Sequence, residues 1–419
     1  MASPEHFLEA EIDDNSSFEE GLVDEWWHTK EEITDDDVRN GLDMQGIQWD
    51  AVGVTRQRYR ELRLIGYSNY ESVTEPNEGV SIKVMPEIQS VKTDAEYYKF
   101  KYTKLSERCS LVHFQLRNLL WVPSKNDVFY TQGPRVQHWC PITHESRTVM
   151  AMDKSEVYGS VYPTKITTMA CREDVLLVGG FCGEYACRRL DAEGTYTGFI
   201  TKDSNGITNY VDITRSRSGG LCSIISSNDK RTRTLDLERL EFTQSFEFQW
   251  PVNCATMSPD KRLLCVVGDG TETLLLNAES GEVLTVLDGH LDHSFACSWS
   301  PDGILLATGN QDKTSRLYDV RFLSKPLCVL GAQMGAIRSL RFSDDGKFFA
   351  MAEPADFVHV FDVTNFDRSQ LIDFFGEIAG FSFTPDAEGL YIANADNAYG
   401  SILEFERAFS TVNYVMDWL

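Results

Sequence analysis

The sequence predicts an all-β protein, a seven-bladed β-propeller that follows an acidic N-terminal extension. A short turn motif recurs about every 42 residues, and each copy lies between two short runs of alternating apolar residues. A strand, a tight turn and a second strand produce this pattern. The chain has 419 residues, which suits one closed repeat domain with an extension better than an average domain with a single core.

The turn motif marks four clear units. Its copies read Ser-Pro-Asp or a close variant and begin 42, 43 and 41 residues apart, at Ser258, Ser300, Ser343 and Thr384. A second marker joins an apolar residue, an aromatic residue, Asp and Val, and it occupies residues 317–320 and 360–363, again 43 residues apart. Each unit therefore holds at least three strands.

Three weaker copies extend the repeat toward the N-terminus. They cover about residues 111–139, 175–191 and 216–237, which brings the total to seven units between about residues 110 and 406. Seven four-stranded blades close into a ring without an open sheet edge. Closure needs a strand from the start of the domain, and we expect residues 97–105 to supply it, with 409–415 as the alternative.

These boundaries divide the chain into four regions. We expect a flexible acidic extension over residues 1–50, a linker with a short helix that packs on the propeller over 51–96, the propeller over 97–407 and a hydrophobic tail over 408–419. The first region contains sixteen acidic residues against two basic ones, a net charge of −14 out of −25 for the chain. Low hydrophobicity and high net charge are typical of flexible segments.

The unit that begins at Gly289 and His290 and reaches Asp319 resembles a WD repeat, whose signature is Gly-His at one end and Trp-Asp at the other. Tyr replaces the Trp in this copy. The resemblance implies a hydrogen-bonded structural network within the blade, formed by His290, Thr308, Asp312 and Tyr318. A His near an Asp and a hydroxyl could also form a catalytic triad, but the spacing favours the structural network.

A narrower resemblance lies before the propeller. Residues 43–50, 56–63 and 67–70 are similar to a segment that precedes the propeller in a fungal and plant WD-repeat family, which includes the WD-type substrate receptor of the GID ubiquitin ligase. The resemblance implies a receptor that captures the N-terminal peptide of a substrate as a degradation signal and docks on a scaffold subunit of the ligase.

Composition argues against several other classes of function. The net charge of −25 would repel nucleic acid, and an acidic surface does not favour membranes. The ten cysteines are scattered and lack metal-ligand spacing, so we expect neither a disulfide framework nor a metal site. We also expect no cofactor, no membrane span and a cytoplasmic or nuclear location.

A candidate peptide site follows from the repeat. Positions seven and five residues before each turn motif share a strand face if the strand alternates with period two. We expect these positions and their neighbours to line a pocket at the channel mouth, formed by Glu377, Phe295, His293, Arg338, Trp250, Phe375 and Asn253. Glu377 would bind the α-ammonium group of a peptide, and the aromatic residues would form apolar walls. The alternative is that this column only packs blade against blade.

Two terminal segments are candidates for docking on a partner. Trp26 and Trp27 form an apolar pair in a polar stretch, and the chain closes on a hydrophobic tail formed by Tyr414, Val415, Met416, Trp418 and Leu419. Either segment could instead pack on the propeller itself. The Arg residues of 55–64 could bind a partner's acidic groups, but the chain's own acidic N-terminus is the nearer target.

The sequence therefore predicts a protein-interaction module without catalytic activity, specifically a substrate receptor of a GID-type ubiquitin ligase. A general WD-repeat scaffold, a trafficking adaptor and a propeller enzyme that uses its central channel are the alternatives. No set of paired carboxylates, metal ligands or activated nucleophiles recurs at matching positions of successive blades, which disfavours the enzyme.

Overall fold

Seven blades of antiparallel strands follow one another along the chain and surround a central channel. The computed structural model describes residues 30–67, 83–153, 155–157 and 160–408. The first five blades are separate four-stranded sheets, and the last two blades share one long strand, Ser369–Phe383, and so form one continuous sheet. Within a blade, strands that are adjacent in the chain pair with each other, except where the N-terminal strand Tyr98–Lys104 joins the last blade. The predicted all-β class and the count of seven blades are confirmed.

Short elements precede the ring. They are β1 (Glu32–Thr34), α1 (Asp35–Arg39), α2 (Trp49–Val52), α3 (Arg56–Gly66), a 3-10 turn (Met85–Glu87) and β2 (Tyr98–Lys104). The Thr55 side chain caps α3 by accepting a hydrogen bond from the backbone N–H of Arg58, which satisfies one free donor of the first turn.

The blades follow in chain order. Blade 1 contains β3 (Leu120–Ser124), β4 (Asp127–Gln132), β5 (Arg135–Cys140) and β6 (Glu145–Ala151), and a hairpin of β7 (Ser155–Val157) and β8 (Ser160–Tyr162) follows it. Blade 2 contains β9 (Ile166–Arg172), β10 (Val175–Gly180), β11 (Glu184–Arg189) and β12 (Tyr196–Phe199). Blade 3 contains β13 (Thr208–Arg215), β14 (Leu221–Ser227), β15 (Arg231–Asp236) and β16 (Glu241–Glu247).

The second half of the ring repeats the arrangement. Blade 4 contains β17 (Val252–Met257), β18 (Leu263–Gly268), β19 (Thr273–Asn277) and β20 (Val283–Leu287), and blade 5 contains β21 (Ser294–Trp299), β22 (Leu305–Asn310), β23 (Thr314–Asp319) and β24 (Cys328–Gly331). Blade 6 contains β25 (Ser339–Phe342), β26 (Phe348–Ala352), β27 (Ala355–Asp362) and the first part of β28 (Ser369–Phe383). The second part of β28, β29 (Gly389–Asn394), β30 (Ser401–Arg407) and β2 form blade 7.

The recurring turn motif joins the first two strands of a blade. In blade 5 the Ser300 hydroxyl donates to Asp302 Oδ1 at 2.5 Å and accepts from the backbone N–H of Leu305 at 2.8 Å. The Asp302 carboxylate accepts from the backbone N–H of Ile304 at 3.0 Å. The same pair of side chains recurs in blades 4, 6 and 7, so the motif repeats because each turn needs its backbone donors satisfied.

The ring closes through β2, as the alternation of residues 97–105 predicts. Tyr98 of β2 lies opposite Arg407 of β30, and Thr103 lies opposite Leu403. Strand β1 then pairs with the other edge of β2, so blade 7 has a fifth strand. The predicted closing strand is therefore confirmed, and both edges of β2 are covered.

The N-terminal region differs from the expected flexible extension. From residue 30 onward it forms β1 and α1, and residues 43–67 pack on the ring through contacts described below. The polar composition of this region does not by itself favour an ordered structure, so its order comes from packing on the propeller. Among the residues that the structure describes, no helix combines the length and apolar character that crossing a membrane requires.

Apolar side chains fill the space between blades. Trp139 of blade 1, Leu177 of blade 2 and Ile225 of blade 3 are fully buried in one continuous cluster. All ten cysteines are free thiols, and eight of them are buried as small core residues.

Candidate functional site

A buried polar network lies within blade 5. The His290 ring contacts Asp312 Oδ2 through Nδ1 at 2.9 Å and Thr308 Oγ1 through Nε2 at 2.8 Å. Asp312 also accepts hydrogen bonds from the backbone N–H groups of Leu291 and Thr314. Burial alone would raise the pKa of Asp312, but the charge of His290 and these hydrogen bonds lower it.

This arrangement joins strands and does not resemble an exposed reactive centre. His290, Thr308 and Asp312 are all at most 5% exposed. Tyr318, the fourth predicted member, packs in the apolar cluster that contains Leu275 and Leu306, and burial raises the pKa of its hydroxyl to about 12. The structure therefore brings three of the four predicted residues into one hydrogen-bonded group and places Tyr318 beside it in the core.

The predicted peptide column does not form a single strand face. The register of β17 shifts between Val252 and Cys254, that of β21 shifts between Ser294 and Ala296, and β28 shows the same irregularity. A β-bulge inserts one residue and reverses the alternation beyond it. Counting seven and five residues back from each turn therefore combines positions that have different environments.

The bulged positions pin neighbouring blades together. Asn209 Nδ2 donates to the backbone carbonyl of Val252 in blade 4 at 2.9 Å, and Asn253 Nδ2 donates to that of Ser294 in blade 5 at 3.0 Å. Asn253 also donates to Asp269 Oδ1 at 2.9 Å and is buried. For Asn253, the blade-to-blade alternative describes the contacts better than a peptide pocket.

Most other residues of the predicted site are engaged within the protein. The Arg338 guanidinium lies 3.7 Å from the centre of the Phe295 ring and donates to Gln311 Oε1 at 3.0 Å. Arg117 Nη2 donates to Glu377 Oε2 at 2.6 Å, so the carboxylate expected to bind a peptide ammonium group already has a cation. Glu377 is nonetheless 37% exposed.

Two residues of the predicted site lie beside blade 4. His293 Nδ1 is 3.6 Å from Asp269 Oδ1, and the His293 side chain is 30% exposed. Trp250 is half-buried and stacks on Phe248, with ring centres 5.8 Å apart. A methyl group at Gly268 would lie 2.4 Å from the Trp250 ring, so Trp250 packs closely on its own blade.

Phe375 requires a correction, because it is fully buried and cannot form the wall of an open pocket. Its ring contacts Trp49 at 5.4 Å and Tyr59 at 5.0 Å between ring centres, and Arg60 lies 4.2 Å above it. The side-chain amide of Gln45 also bonds both the N–H and the carbonyl of Phe375, each at 2.6 Å. The chain's own N-terminal segment thus occupies this position.

We call residues 43–67 the N-terminal clamp. Arg60 and Arg63 bind Asp356 of blade 6, and Arg56 binds Asp373 at 2.8 Å. The expectation that these arginines bind the acidic N-terminus is therefore wrong for its main contacts, although Arg56 also approaches Asp43 at 3.7 Å. Buried acidic groups on the ring are more effective partners because they are less well solvated.

We call the end of the channel at which the innermost strands of the blades begin the entry mouth. The clamp also reaches this entry mouth. Tyr67 packs with Met334 and Phe357 there, and burial raises the pKa of its hydroxyl above its usual value. His113 lies near Arg117 and Arg338, and burial together with these cations lowers its pKa to about 4.

The cavity beneath the entry mouth, lined by Asn209, Phe295 and Arg338 among others, has a volume of only about 20 Å³. That space suits a single water molecule and not a peptide.

A larger cavity opens at the opposite end of the channel, where the turn motifs lie. This turn-end chamber has a volume of about 520 Å³. Its aromatic and charged lining residues are Trp121, Arg172, Glu173, Tyr210, Asp212, Lys261, Trp299, Arg341, Phe342, Asp344 and Phe383. Pro123, Pro259, Pro301 and Pro385 also line it.

Two chamber cations lie against one indole. The guanidinium carbons of Arg341 and Arg172 are 4.0 and 5.8 Å from the centre of the Trp121 ring. Burial lowers the pKa values of Arg341 and Lys261 and raises that of Asp212. This group was not among the residues predicted from the sequence, although Arg341 and Trp299 stand two and one residues before a turn motif.

The predicted docking residues Trp26, Trp27, Tyr414, Val415, Met416, Trp418 and Leu419 lie outside the described residues. Within the described part of the chain, no group of three or more His, Cys, Asp or Glu side chains is arranged to hold a metal ion.

Comparison with known proteins identifies the class. Residues 281–319, which include β21 to β23 of blade 5, match the family model "WD domain, G-beta repeat". A chain in the crystal structure of a mitotic checkpoint complex superposes with a TM-score of 0.60 at 16% identity, covering 77% of this chain and 94% of that one. The fold is therefore a seven-bladed WD-repeat β-propeller.

Two proteins with similar sequences show how far the similarity extends along this chain. Uncharacterized protein C4G3.03 of Schizosaccharomyces pombe is 25% identical over 313 residues, which cover 68% of this chain and 86% of that protein. WD repeat-containing protein 1 of Bos taurus is 30% identical over 164 residues, or 37% of this chain, and the match spans only 26% of that relative.

Proposed function

We propose that this protein is a protein-interaction subunit without catalytic activity that receives a segment of a partner in the turn-end chamber. The open chamber of about 520 Å³ carries the proposal. It is large enough for several side chains, and its tryptophan and arginine residues are types that dominate binding energy in protein interfaces. WD-repeat relatives and the propeller fold support an interaction scaffold.

The chamber is a better candidate than the entry mouth predicted from sequence. The entry mouth holds Tyr67 of the clamp, and its central cavity measures only about 20 Å³. Glu377 would have to exchange Arg117 for a peptide ammonium group, which would leave a buried guanidinium without its carboxylate. We therefore place the partner at the other end of the channel.

The narrower proposal is a substrate receptor of a GID-type ubiquitin ligase, acting in the cytoplasm or nucleus. It rests on the resemblance of residues 43–50, 56–63 and 67–70 to the segment before the propeller in that receptor family. The partners would then be a scaffold subunit of the ligase and a substrate peptide. The first two of these segments lie in the N-terminal clamp, where Gln45, Arg56 and Arg60 bind β27 and β28.

The hydrophobic tail is the proposed contact with the scaffold subunit. Strand β30 already pairs with β29 and β2, and β2 pairs with β1, so among the described residues the outer edge of blade 7 is the three-residue strand β1. Burial of Trp418 and Leu419 by a partner would remove apolar surface from water at ~25 cal/mol per Å². Trp26 and Trp27 are the second proposed anchor, on the same physical grounds.

Affinity purification of the tagged full chain, followed by mass spectrometry, tests both levels of this proposal. Recovery of ubiquitin-ligase subunits would support the receptor, and their absence among abundant partners would contradict it. Deletion of residues 414–419 should remove the scaffold subunit and leave the melting temperature unchanged. A truncated protein that keeps the subunit, or that melts several degrees lower, would contradict the docking tail. Failure to recover any stable protein partner would contradict the interaction proposal as a whole.

A further inference from the structure

The turn-end chamber contains three cations without a carboxylate partner at close range. Arg172, Lys261 and Arg341 form no ion pair within 4 Å with any carboxylate of the described residues. Lys261 donates to Thr214 Oγ1 at 2.7 Å, and Arg341 Nη2 donates to Asn118 Oδ1 at 2.9 Å. In a protein with a net charge of −25, an unpaired cationic group is a specific local feature.

Arg341 lies at the floor of the chamber. It lines both the chamber and the small cavity of the entry mouth, so its guanidinium stands where the channel narrows. Its Nε is buried and has no hydrogen-bond partner among the described residues. A buried donor of this kind gains free energy when an acceptor binds, since its hydration has already been lost.

The acidic residues of the lining offset the charge of this group only in part, because three cations face one buried carboxylate, Asp212. Glu173 binds Arg215, which lies outside the chamber lining. Burial raises the pKa of the Asp212 carboxyl group, and the charges of Arg172, Arg341 and Lys261 oppose that rise. Asp344 is exposed, where water screens its charge.

Apolar surface surrounds the cations. Trp121 and Trp299 form walls of the chamber, and the Trp299 Nε1 is held by the backbone carbonyl of Thr256 at 3.1 Å. Prolines from four blades also line the cavity, Pro123 from β3 and Pro259, Pro301 and Pro385 from turn motifs. They offer rigid apolar contacts with no side-chain flexibility to lose. An inorganic anion would leave this apolar surface in water, whereas a peptide would cover it.

We infer that the turn-end chamber binds an acidic peptide segment, with an Asp or Glu carboxylate among Arg172, Lys261 and Arg341 and neighbouring apolar side chains against Trp121 and Trp299. This inference rests on the proposed protein-interaction function and specifies the chemistry of its ligand. Charge-assisted hydrogen bonds fix the carboxylate, and the indoles supply contact area.

Selection from a random twelve-residue peptide library displayed on phage, with the full chain as the target, tests the inference. Selected peptides should contain Asp or Glu next to an aromatic or aliphatic residue. A synthetic selected peptide should bind at least tenfold more weakly to Arg172→Gln, to Lys261→Asn and to Arg341→Gln. Raising NaCl from about 50 to 500 mM should weaken binding as well. Replacing the acidic residue of the peptide by its amide should have the same effect.

Further variants test whether a loss of peptide binding reflects loss of folding, and whether the C-terminal tail competes with the peptide for the chamber. Arg231→Gln alters an exposed ion pair with Glu247 on blade 3 and should leave peptide affinity unchanged. If Arg341→Gln does not fold, Arg172→Gln still decides the result, because Arg172 is exposed to the chamber. Tighter binding after deletion of 409–419, with the acidic preference retained, would show that the tail competes for the same site and would support the chamber's specificity.

Selected peptides without acidic residues, or binding unaffected by all three substitutions, would overturn the inference. Equal competition by inorganic phosphate at the peptide's own concentration would also overturn it, since a simple anion site would then suffice. If the substitutions leave peptide binding unchanged while the Arg172→Gln, Lys261→Asn double variant still recovers protein partners, only this inference is removed and the interaction function stands.

Discussion

Arg60 of α3 donates a hydrogen bond from Nη1 to Oδ2 of Asp356, 2.5 Å away, and the Asp356 side chain is fully buried. Arg63 donates to the same oxygen from Nε at 2.6 Å. Asp356 adopts a φ of 72°, and its other oxygen accepts from the backbone N–H of Gly376 at 2.8 Å. One carboxylate thus joins the N-terminal clamp to the junction of blades 6 and 7.

Arg60→Ala should destabilise the protein by about 3–5 kcal/mol, because it leaves the Asp356 charge buried with only part of its compensation. Urea denaturation measures this change. Limited proteolysis should also show faster cleavage within residues 43–67. Arg58→Ala is the matched control, since Arg58 forms an exposed pair with Glu61. Equal cleavage rates in Arg60→Ala and wild type would contradict a clamp held by this contact.

His290→Ala and Asp312→Ala should each lower the free energy of unfolding by roughly 1–3 kcal/mol through unsatisfied buried partners. Partner binding should fall only in proportion to the folded fraction. Chemical denaturation and partner capture on the same samples provide the comparison. A fully folded His290→Ala protein that no longer binds its partners would refute the structural role.

Acid should reduce the contribution of Asp312. Its folded-state pKa lies below the ordinary value of 3.8, so its stabilising effect is complete above that value and is lost as the pH falls through the lower folded pKa. The stability difference between wild type and Asp312→Asn should therefore be constant from pH 7 to about 5 and shrink below about pH 4. Denaturation midpoints across this range test the sign, and a difference that grows with acid would contradict it.

Gln370 should stabilise ring closure. Its Oε1 accepts from the backbone N–H groups of Tyr97 and Tyr98, both at 2.8 Å, and its Nε2 donates to the Tyr98 carbonyl at 2.6 Å. Gln370→Ala should cost about 1–3 kcal/mol and accelerate amide hydrogen exchange in β2. Gln244→Ala, which removes an exposed hydrogen bond to the Glu279 carbonyl, is the control. Unchanged exchange in β2 would show that the sheet pairing alone holds the closing strand.

Gly268→Ala should destabilise blade 4 by about 1–3 kcal/mol, because the added Cβ would lie 2.1 Å from the backbone oxygen of Pro251. At Gly220 the nearest atom to an added Cβ is Ser216 Oγ at 3.6 Å, so Gly220→Ala should be tolerated. Thermal melting of the two variants gives the comparison, and equal melting temperatures would contradict the close packing at Gly268.

The recurring turn motif and its weaker copies predicted the fold class and the number of blades, and the alternation of residues 97–105 predicted the closing strand. Each depends on short-range chemistry that recurs in the sequence: a hydroxyl and a carboxylate that satisfy one turn, and apolar strands beside it. The His290, Thr308 and Asp312 group could be predicted for the same reason, because its members belong to one blade. These features need no knowledge of distant parts of the chain.

Only the tertiary structure decided where a ligand could enter. The bulges near Asn253 and Phe295 shift side chains between environments without any mark in the hydrophobic pattern, so the predicted column was not a single face. The clamp that buries Phe375 comes from more than 300 residues earlier in the chain. The chamber brings together Arg172, Lys261 and Arg341 from three different blades, and ring closure alone makes them neighbours. Such proximity depends on the summed geometry of all seven blades, which no local stretch of sequence contains.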